Sequence, residues 1–347
     1  MKMCVILNPK AGSALQSDLL RQRLAERRGV TILEPSNAAE FRVAVADAAR
    51  HFRRIVIAGG DGTIHSAVNA LGPRFPRTWL AFIPLGTGND LCRTLGIPLD
   101  PVEALSVLDM GRKRKIDVMR VEGGYSGFAV NAATGGLSGR VAADVTAEMK
   151  AFWGPFAYLR GAAGPVAERA SYRLSVRFDD GPPEVFEALN IVVANARTAA
   201  GGFTVAPTAN LEDGLLDVVI VRAGDFLDLS VIAAHLMAGD YLADANVLHR
   251  VARKVEIESD PPMPFSIDGE VAEGPRFAFS IVPRALRVLV GPTYHTDPTR
   301  RDGRSIRQSL FGLLAHVLHM VRSVPRAYAL ALLVAVAGGV AGWLMGK

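Results

Sequence analysis

Residues 54–66 read RIVIAGGDGTIHS, and residues 79–90 read WLAFIPLGTGND. In each, an apolar run of strand length breaks into a glycine turn, and a helical pattern follows. A third junction of this kind opens the chain, where MCVILN at 3–8 runs into Pro9-Lys10-Ala11-Gly12-Ser13. Strands alternating with helices argue a parallel α/β sheet, and such sheets bind ligands beyond the carboxyl ends of their strands. Glycine lets backbone N–H groups approach an anion without a Cβ clash, and a helix N-terminus adds a favourable dipole. Three such junctions within ninety residues point to one polyphosphate site. No GxxxxGK[ST] loop is present and no GxGxxG follows the first strand, which disfavours P-loop enzymes and dinucleotide dehydrogenases.

Working outward, the α/β pattern covers residues 1–121. Residues 122–291 read as a β-rich sandwich domain whose last strand returns to the first domain. Its strands are expected at 115–121, 125–132, 171–178, 184–195, 214–222, 251–258 and 275–291. Helical stretches interrupt them at about 137–166 and 226–238. Residues 292–326 read as a basic linker and amphipathic helix, and 327–346 as an uncharged span nearly long enough for a hydrocarbon core. The chain has 347 residues, is 50% hydrophobic and 21% charged, and carries a net charge of +5. That composition excludes a disordered or fibrous chain. Two cysteines build neither a disulfide framework nor a cysteine-rich zinc site. From residue 292 onward seven Lys/Arg face two acids, so the tail holds the whole net charge and the body is neutral. The expected partner is therefore a membrane surface and bilayer, with no nucleic acid. The arginines upstream of the span put the body on the cytoplasmic side of a single-pass C-terminal anchor at the cell membrane. Gly338, Gly342 and Gly346 permit close helix pairing and thus a homodimer.

Asp61 sits beside the expected phosphate cradle, where a bare carboxylate would repel phosphate unless a cation lay between. It reads as a magnesium-linked residue, as a base for a substrate hydroxyl, or as the cap of its own helix. Thr63 and Thr87 offer hydroxyl donors, while Asn89 and Asp90 cap the next helix or hold the turns together. Asp268 and Glu270 flank a glycine and could project to one side as proton acceptors, although Asp-Gly is equally a hairpin signal.

In its motifs the chain resembles the diacylglycerol kinase catalytic-domain family, which includes bacterial lipid kinases and sphingosine kinases. The resemblance rests on NPKAG at 8–12, GGDGT at 59–63, PLGTGND at 84–90 and Ile116-Asp117-Val118. FAVNAATGG at 128–136, DGLLDV at 213–218 and Asp268-Gly269-Glu270 complete it. It covers residues 3 to about 291 and implies a phosphofructokinase-like nucleotide domain joined to a β-sandwich that holds lipid. It implies ATP on Asn8, Gly59, Gly60, Asp61, Gly62, Thr63, Ile64, His65, Gly86, Thr87, Asn89 and Asp90. It also implies Mg2+ on Asn210, Asp213 and Leu215, the flanking pair through backbone oxygens, and a charged interdomain network around Asp117. Glu270 is its first choice of catalytic acid and Asp268 the second, with Asp61 also catalytic. The activity implied is phosphorylation of a membrane lipid hydroxyl, by default diacylglycerol to phosphatidic acid. A sphingoid base or long-chain prenol is an alternative acceptor, and an NAD kinase-like enzyme or a non-catalytic sensor are more distant readings. One departure stands out: where the family follows GGDGT with a hydrophobic residue and Asn-Glu, this chain has Ile64, His65 and Ser66. His65 could equally be an exposed helix residue without a role.

Overall fold

Strands β1 (Met3–Leu7), β3 (Arg54–Gly59) and β4 (Trp79–Pro84) are apolar almost throughout because helices and loops cover both faces of their sheet. The computed structural model describes residues 2–73, 75–136, 171–199, 201–223, 242 and 244–296. Between the strands run α1 (Ala14–Ala25), β2 (Val30–Leu33), α2 (Ala38–His51) and α3 (Asp61–Leu71). Ser13 and Gln16 start α1 with a capping box, and Asn37 starts α2 by accepting from the N–H groups of Ala39 and Glu40. The buried face of α2 is Phe41, Val45 and Ala48, at helical spacing. Three short helices follow β4, namely α4 (Asp90–Thr94), α5 (Pro101–Ala104) and α6 (Ser106–Met110). The parallel strands lie in the order β4-β3-β1-β2.

The rest is antiparallel and continues the same hydrogen-bonded sheet, thirteen strands in all. It comprises β5 (Arg112–Gly123), β6 (Gly127–Ala129), β7 (Ala132–Gly136), β8 (Tyr172–Phe178) and β9 (Glu184–Ala194). Then come β10 (Thr198–Ala199) and β11 (Phe203–Thr204), which pair with each other in a separate two-stranded sheet, followed in the main sheet by β12 (Leu216–Arg222), β13 (Val247–Ala252), β14 (Lys254–Ile267) and β15 (Glu270–Val290). The seam is β15. Its end pairs parallel with β4, Arg287 opposite Trp79, while its length pairs antiparallel with β14 and β5. Side chains of β5 and β15 change core along the strand. Ile116, Val118, Val288 and Val290 pack with the α/β half, whereas Met119, Val121, Phe277 and Phe279 pack in the β half. The two halves thus meet within strands rather than at a linker.

Several sequence expectations shift. The strand read at 125–132 is two strands broken at Val130-Asn131. The strand read at 251–258 is two strands, the second running to Ile267 past Pro261, Pro262 and Pro264. The ladder skips residues 259–262 between β14 and β15, which accommodates the first two prolines. Strand β15 starts at Glu270 rather than 275, so Asp268-Gly269 is the turn of a long hairpin. Strands β7 and β8 lie end to end between β9 and β14, so the chain between them leaves and re-enters one strand position. The helices expected at 137–166 and 226–238, the amphipathic helix and the apolar span at 327–346 fall outside the described residues. Among the described residues no helix is long and apolar enough to cross a membrane.

Candidate active site

The three glycine turns meet at the carboxyl ends of β1, β3 and β4. Asn8 Nδ2 donates to Thr63 Oγ1 (2.9 Å), tying the first turn to the second. The second and third turns touch through glycine: a Cβ on Gly86 would lie 2.6 Å from the Gly60 Cα, and one on Gly88 2.7 Å from Asp61 Oδ2. Asn89 adopts a left-handed φ of 53°, accepts from the Gly86 N–H (3.0 Å) and donates to the Gly86 carbonyl (2.6 Å).

Asp61 does not cap its own helix, whose N-cap is Gly60 without a side-chain bond. Its two carboxylate oxygens instead accept from the N–H groups of Asn89 and Asp90, both at 2.7 Å. Burial pushes this carboxyl above its ordinary range, the backbone bonds oppose that, and the charge of Asp268 adds to it. Asp90 in turn accepts from the N–H groups of Gly201 (3.0 Å) and Gly202 (2.6 Å) in the β half. Nothing in the local pattern signalled that Gly201-Gly202 would cross 111 residues to cap Asp90. Beside Gly62 and Thr63 lies a cavity of about 280 Å3, also lined by Asn8, Lys10, Ser36 and Asn37. The Gly62 Cα faces open space, with nothing within 4 Å of a Cβ position. Thr87 is exposed, whereas the Ile64 side chain is buried in the core of the α/β half, away from any ligand.

The β14–β15 hairpin reaches α3 through Asp268, whose charge also acts on Asp61. Asp268, at φ 48°, is turned inward. Its carboxylate accepts from the N–H groups of Val130 (2.7 Å), Asn131 (3.0 Å) and Ala132 (3.1 Å), and its side chain is 1% exposed. Glu270 is exposed. The two acids therefore do not project together, contrary to expectation: one is spent on backbone amides and the other faces outward. His65 is not an exposed helix residue but is 6% exposed. Its ring meets Asp268 Oδ2 (3.5 Å) and the Tyr125 hydroxyl (2.9 Å) in the β half rather than the glycine turns. Tyr125 carries no motif, and sequence reasoning missed it.

The expected metal turn folds tightly. The Leu215 N–H donates to Asp213 Oδ1 (3.0 Å), the Glu212 N–H to Asn210 Oδ1 (3.1 Å), and the Gly214 N–H to the fully buried Asp117 (2.7 Å). The Asp213 carboxyl is raised first by desolvation and then by the charges of Asp217 and Asp117. Among the described residues no three His, Cys, Asp or Glu side chains are grouped to hold a metal. A site here would need backbone oxygens beside the one carboxylate. The long contact of the Asn210 carbonyl, 3.5 Å from the Asp213 N–H, leaves that oxygen weakly used.

Asp90 gives a test of the interdomain contact. Burial, and then the charge of Asp61, pushes its pKa up to about 6. A carboxyl raised in the folded state adds stability that is full below its unfolded pKa and is lost as pH rises through the folded one. Between about pH 4 and pH 7 the unfolding free energy of the wild type should fall, relative to Asp90→Asn, by on the order of 2–3 kcal/mol. Denaturant unfolding at each pH measures this, and a flat difference contradicts it.

The comparisons with known proteins agree with this geometry. Residues 2–121 match the family described as "Diacylglycerol kinase catalytic domain". Residues 131–290 match the "YegS C-terminal NAD kinase beta sandwich-like domain". The chain is 31% identical over 305 residues to a "Probable lipid kinase YegS-like" of Pseudomonas aeruginosa, covering 87% of this chain and 99% of that one. It is 29% identical over 274 residues to a diacylglycerol kinase of Bacillus subtilis, covering 77% and 88%. A solved diacylglycerol kinase of Bacillus anthracis shares the fold, with a TM-score of 0.65 at 22% identity over 85% of this chain and 98% of that one. With three glycine turns packed together and the acidic hairpin tied to α3, this chain belongs to the diacylglycerol kinase catalytic-domain family and is a phosphotransferase with an alcohol group as acceptor.

Proposed function

We propose that the chain is a lipid kinase that transfers phosphate from ATP to the hydroxyl of a membrane lipid, diacylglycerol being the acceptor and phosphatidic acid the product. The observation that carries this reading is the packing of three glycine turns at the ends of the parallel strands, with α3 tied through His65 to Asp268 of the hairpin whose exposed acid is Glu270. The names of the relatives, lipid kinase and diacylglycerol kinase, support the acceptor class. ATP held on the turns would supply the γ-phosphoryl group, and Mg2+, when bound with it, would supply the positive charge that offsets the phosphate oxygens. The N–H groups of Asp61 and Gly62, in the first turn of α3, have no partner within their helix and face phosphate with the helix dipole behind them. Asn8 orients the Thr63 hydroxyl, whose proton is left to donate. Asp61 fixes the third turn against the second, so that both approach one ligand. Glu270 takes the proton of the acceptor hydroxyl as that oxygen bonds to the γ-phosphorus and the bond from phosphorus to the bridging oxygen breaks, releasing ADP.

The test is labelled ATP with purified protein and mixed micelles of diacylglycerol, sphingosine or a long-chain prenol. Glu270→Gln should lower kcat by roughly 10²–10⁴ while the fold is kept. Label on NAD, or on no lipid, overturns the acceptor, and full activity in Glu270→Gln removes its role as base.

Mg2+ is assigned to the turn at Asn210, Asp213 and Leu215, where it would relieve the mutual repulsion of Asp213, Asp117 and Asp217. Added Mg2+ should raise the melting temperature of the wild type but not of Asp213→Ala, and an equal rise in both excludes this turn.

The tail beyond residue 292 is assigned as the membrane anchor. A kinase held on the surface that contains its substrate gains effective concentration without new contacts. Basic residues beside the span add about 1 kcal/mol each towards anionic lipid. Truncation after residue 300 should move the protein from the membrane to the supernatant fraction, and continued sedimentation with membranes rejects the anchor.

A further inference from the structure

His65 occupies the position where the family resemblance gives Asn, and its surroundings define its chemistry. An acceptor, Asp268 Oδ2, lies 3.5 Å from Nδ1. One donor faces Nε2, the Tyr125 hydroxyl at 2.9 Å; the two hydrogens of Asn69 Nδ2, itself 3.3 Å from Nε2, go to the carbonyls of His65 (3.0 Å) and Phe128 (2.8 Å). The Asn69 amide is fixed in orientation, because its Oδ1 accepts from the Phe128 N–H (2.9 Å) and its Nδ2 donates to the Phe128 carbonyl (2.8 Å). A carboxylate at Nδ1 and a hydroxyl donor at Nε2 select the neutral imidazole with its proton on Nδ1. The one proton of Tyr125 is then given to Nε2, and of the two lone pairs on the phenol oxygen one is left beside the Asn69 contact for another donor.

The fold builds this placement. Tyr125 lies in the turn between β5 and β6, and its ring folds back over Gly127, where a Cβ would stand 2.8 Å from the phenol oxygen. The ring is half-buried and 6.1 Å from that of His65, centroid to centroid. Burial, and then the charges of Asp268 and Glu270, raise the phenol, which keeps it protonated and marks it as a neighbour of the acidic hairpin. The contact joins the two halves of the molecule, since His65 belongs to α3 and its two long-range partners to the β half.

We propose that His65 is a positioning residue for phosphoryl transfer: it holds the Tyr125 hydroxyl with a free lone pair turned to the acceptor alcohol, whose O–H it orients beside Glu270. The Asp268 carboxylate, fixed by three backbone amides, sets the His65 tautomer. Contacts of this kind are often long before substrate binds and tighten when it does. No proton is transferred by this group, because Glu270 remains the base. The inference rests on the reading of Glu270 as the acid at the transfer site.

The test has two arms. The first needs no substrate: nitrogen-15 spectra of the histidine side chains in the full chain should show His65 as the Nδ1–H tautomer, with the Nε2 signal shifted in Tyr125→Phe. An Nε2–H tautomer, or a signal indifferent to Tyr125, overturns the proposal. The second arm uses the alcohol that the wild type phosphorylates best among diacylglycerol, sphingosine and a long-chain prenol in mixed micelles. Tyr125→Phe and His65→Ala should each lower kcat about tenfold to a hundredfold, with KM for ATP within about twofold of wild type. The double variant should be no slower than the slower single one, since both act through one hydroxyl. Tyr125→Phe, at a half-exposed position, should melt with the wild type and so stands if His65→Ala fails to fold. Unchanged kcat in Tyr125→Phe, or multiplicative losses in the double variant, overturns the proposal. A wild type that phosphorylates none of the three alcohols sinks the lipid acceptor instead, and the spectra alone then decide on His65.

Discussion

Asp117 gives one carboxylate oxygen to the N–H of Gly214 (2.7 Å) and the other to that of Arg284 (2.6 Å), with no exposure to solvent. Its own N–H donates to Leu211 (2.7 Å), and its carbonyl accepts from Asn195 Nδ2 (3.1 Å). This one residue therefore fastens the kink of β15 to the turn before β12. The kink matters because β15 has to run antiparallel along β5 and still lie parallel beside β4 at its end. Its ladder to β5 skips between Val282 and Leu286, and Arg284 within the skip has a positive φ of 53°. The Arg284 N–H, turned out of the ladder there, would be unsatisfied without Asp117, and a buried unpaired donor costs ~1–3 kcal/mol. Burial raises the Asp117 carboxyl, and the two amides and then the charge of Arg284 oppose that.

The same device recurs at the cleft. Asp61 is met by the amides of Asn89 and Asp90, Asp90 by those of Gly201 and Gly202, and Asp268 by those of Val130, Asn131 and Ala132. Amide donors cost no side-chain entropy to order, because the chain around them is already fixed. They also leave negative potential in place, since each carries only a partial charge. The two halves are joined through the shared strands β5 and β15 and by apolar residues such as Phe128 and Val130 packed into the α/β core, and these polar contacts add to that joint.

Much of this arrangement was legible in the sequence, and the reasons for the rest are physical. The strand–glycine–helix junctions could be read because their signals are local: an apolar run, then residues that permit close backbone approach. Asp268-Gly269 could be read both as a hairpin turn and as part of a site, and it is a turn that also places a buried carboxylate. The 14-residue strand β14 runs past three prolines, two of which the sheet absorbs in a ladder skip, and local pattern does not show such a skip. Partners far apart in sequence left no trace: Asp90 with Gly202 at 112 residues, His65 with Tyr125 at 60. Nothing near His65 in the sequence shows what covers its face of α3. Residues of the β half cover that face.

The acids of the cleft also differ in what their lone pairs still have to do. Asp268 is met by three amides, and Asp61 and Asp90 by two each at 2.6–3.0 Å, so protonating any of them would cost bonds already made. Burial raises Asp61 and Asp90, and the amide bonds hold those rises back. Glu270 is exposed and at the start of β15, paired with Ile267 through the backbone. The buried acids therefore brace the turns and the hairpin, whereas the exposed acid is the one that the proposed mechanism uses as its base, because it can turn without breaking the hairpin.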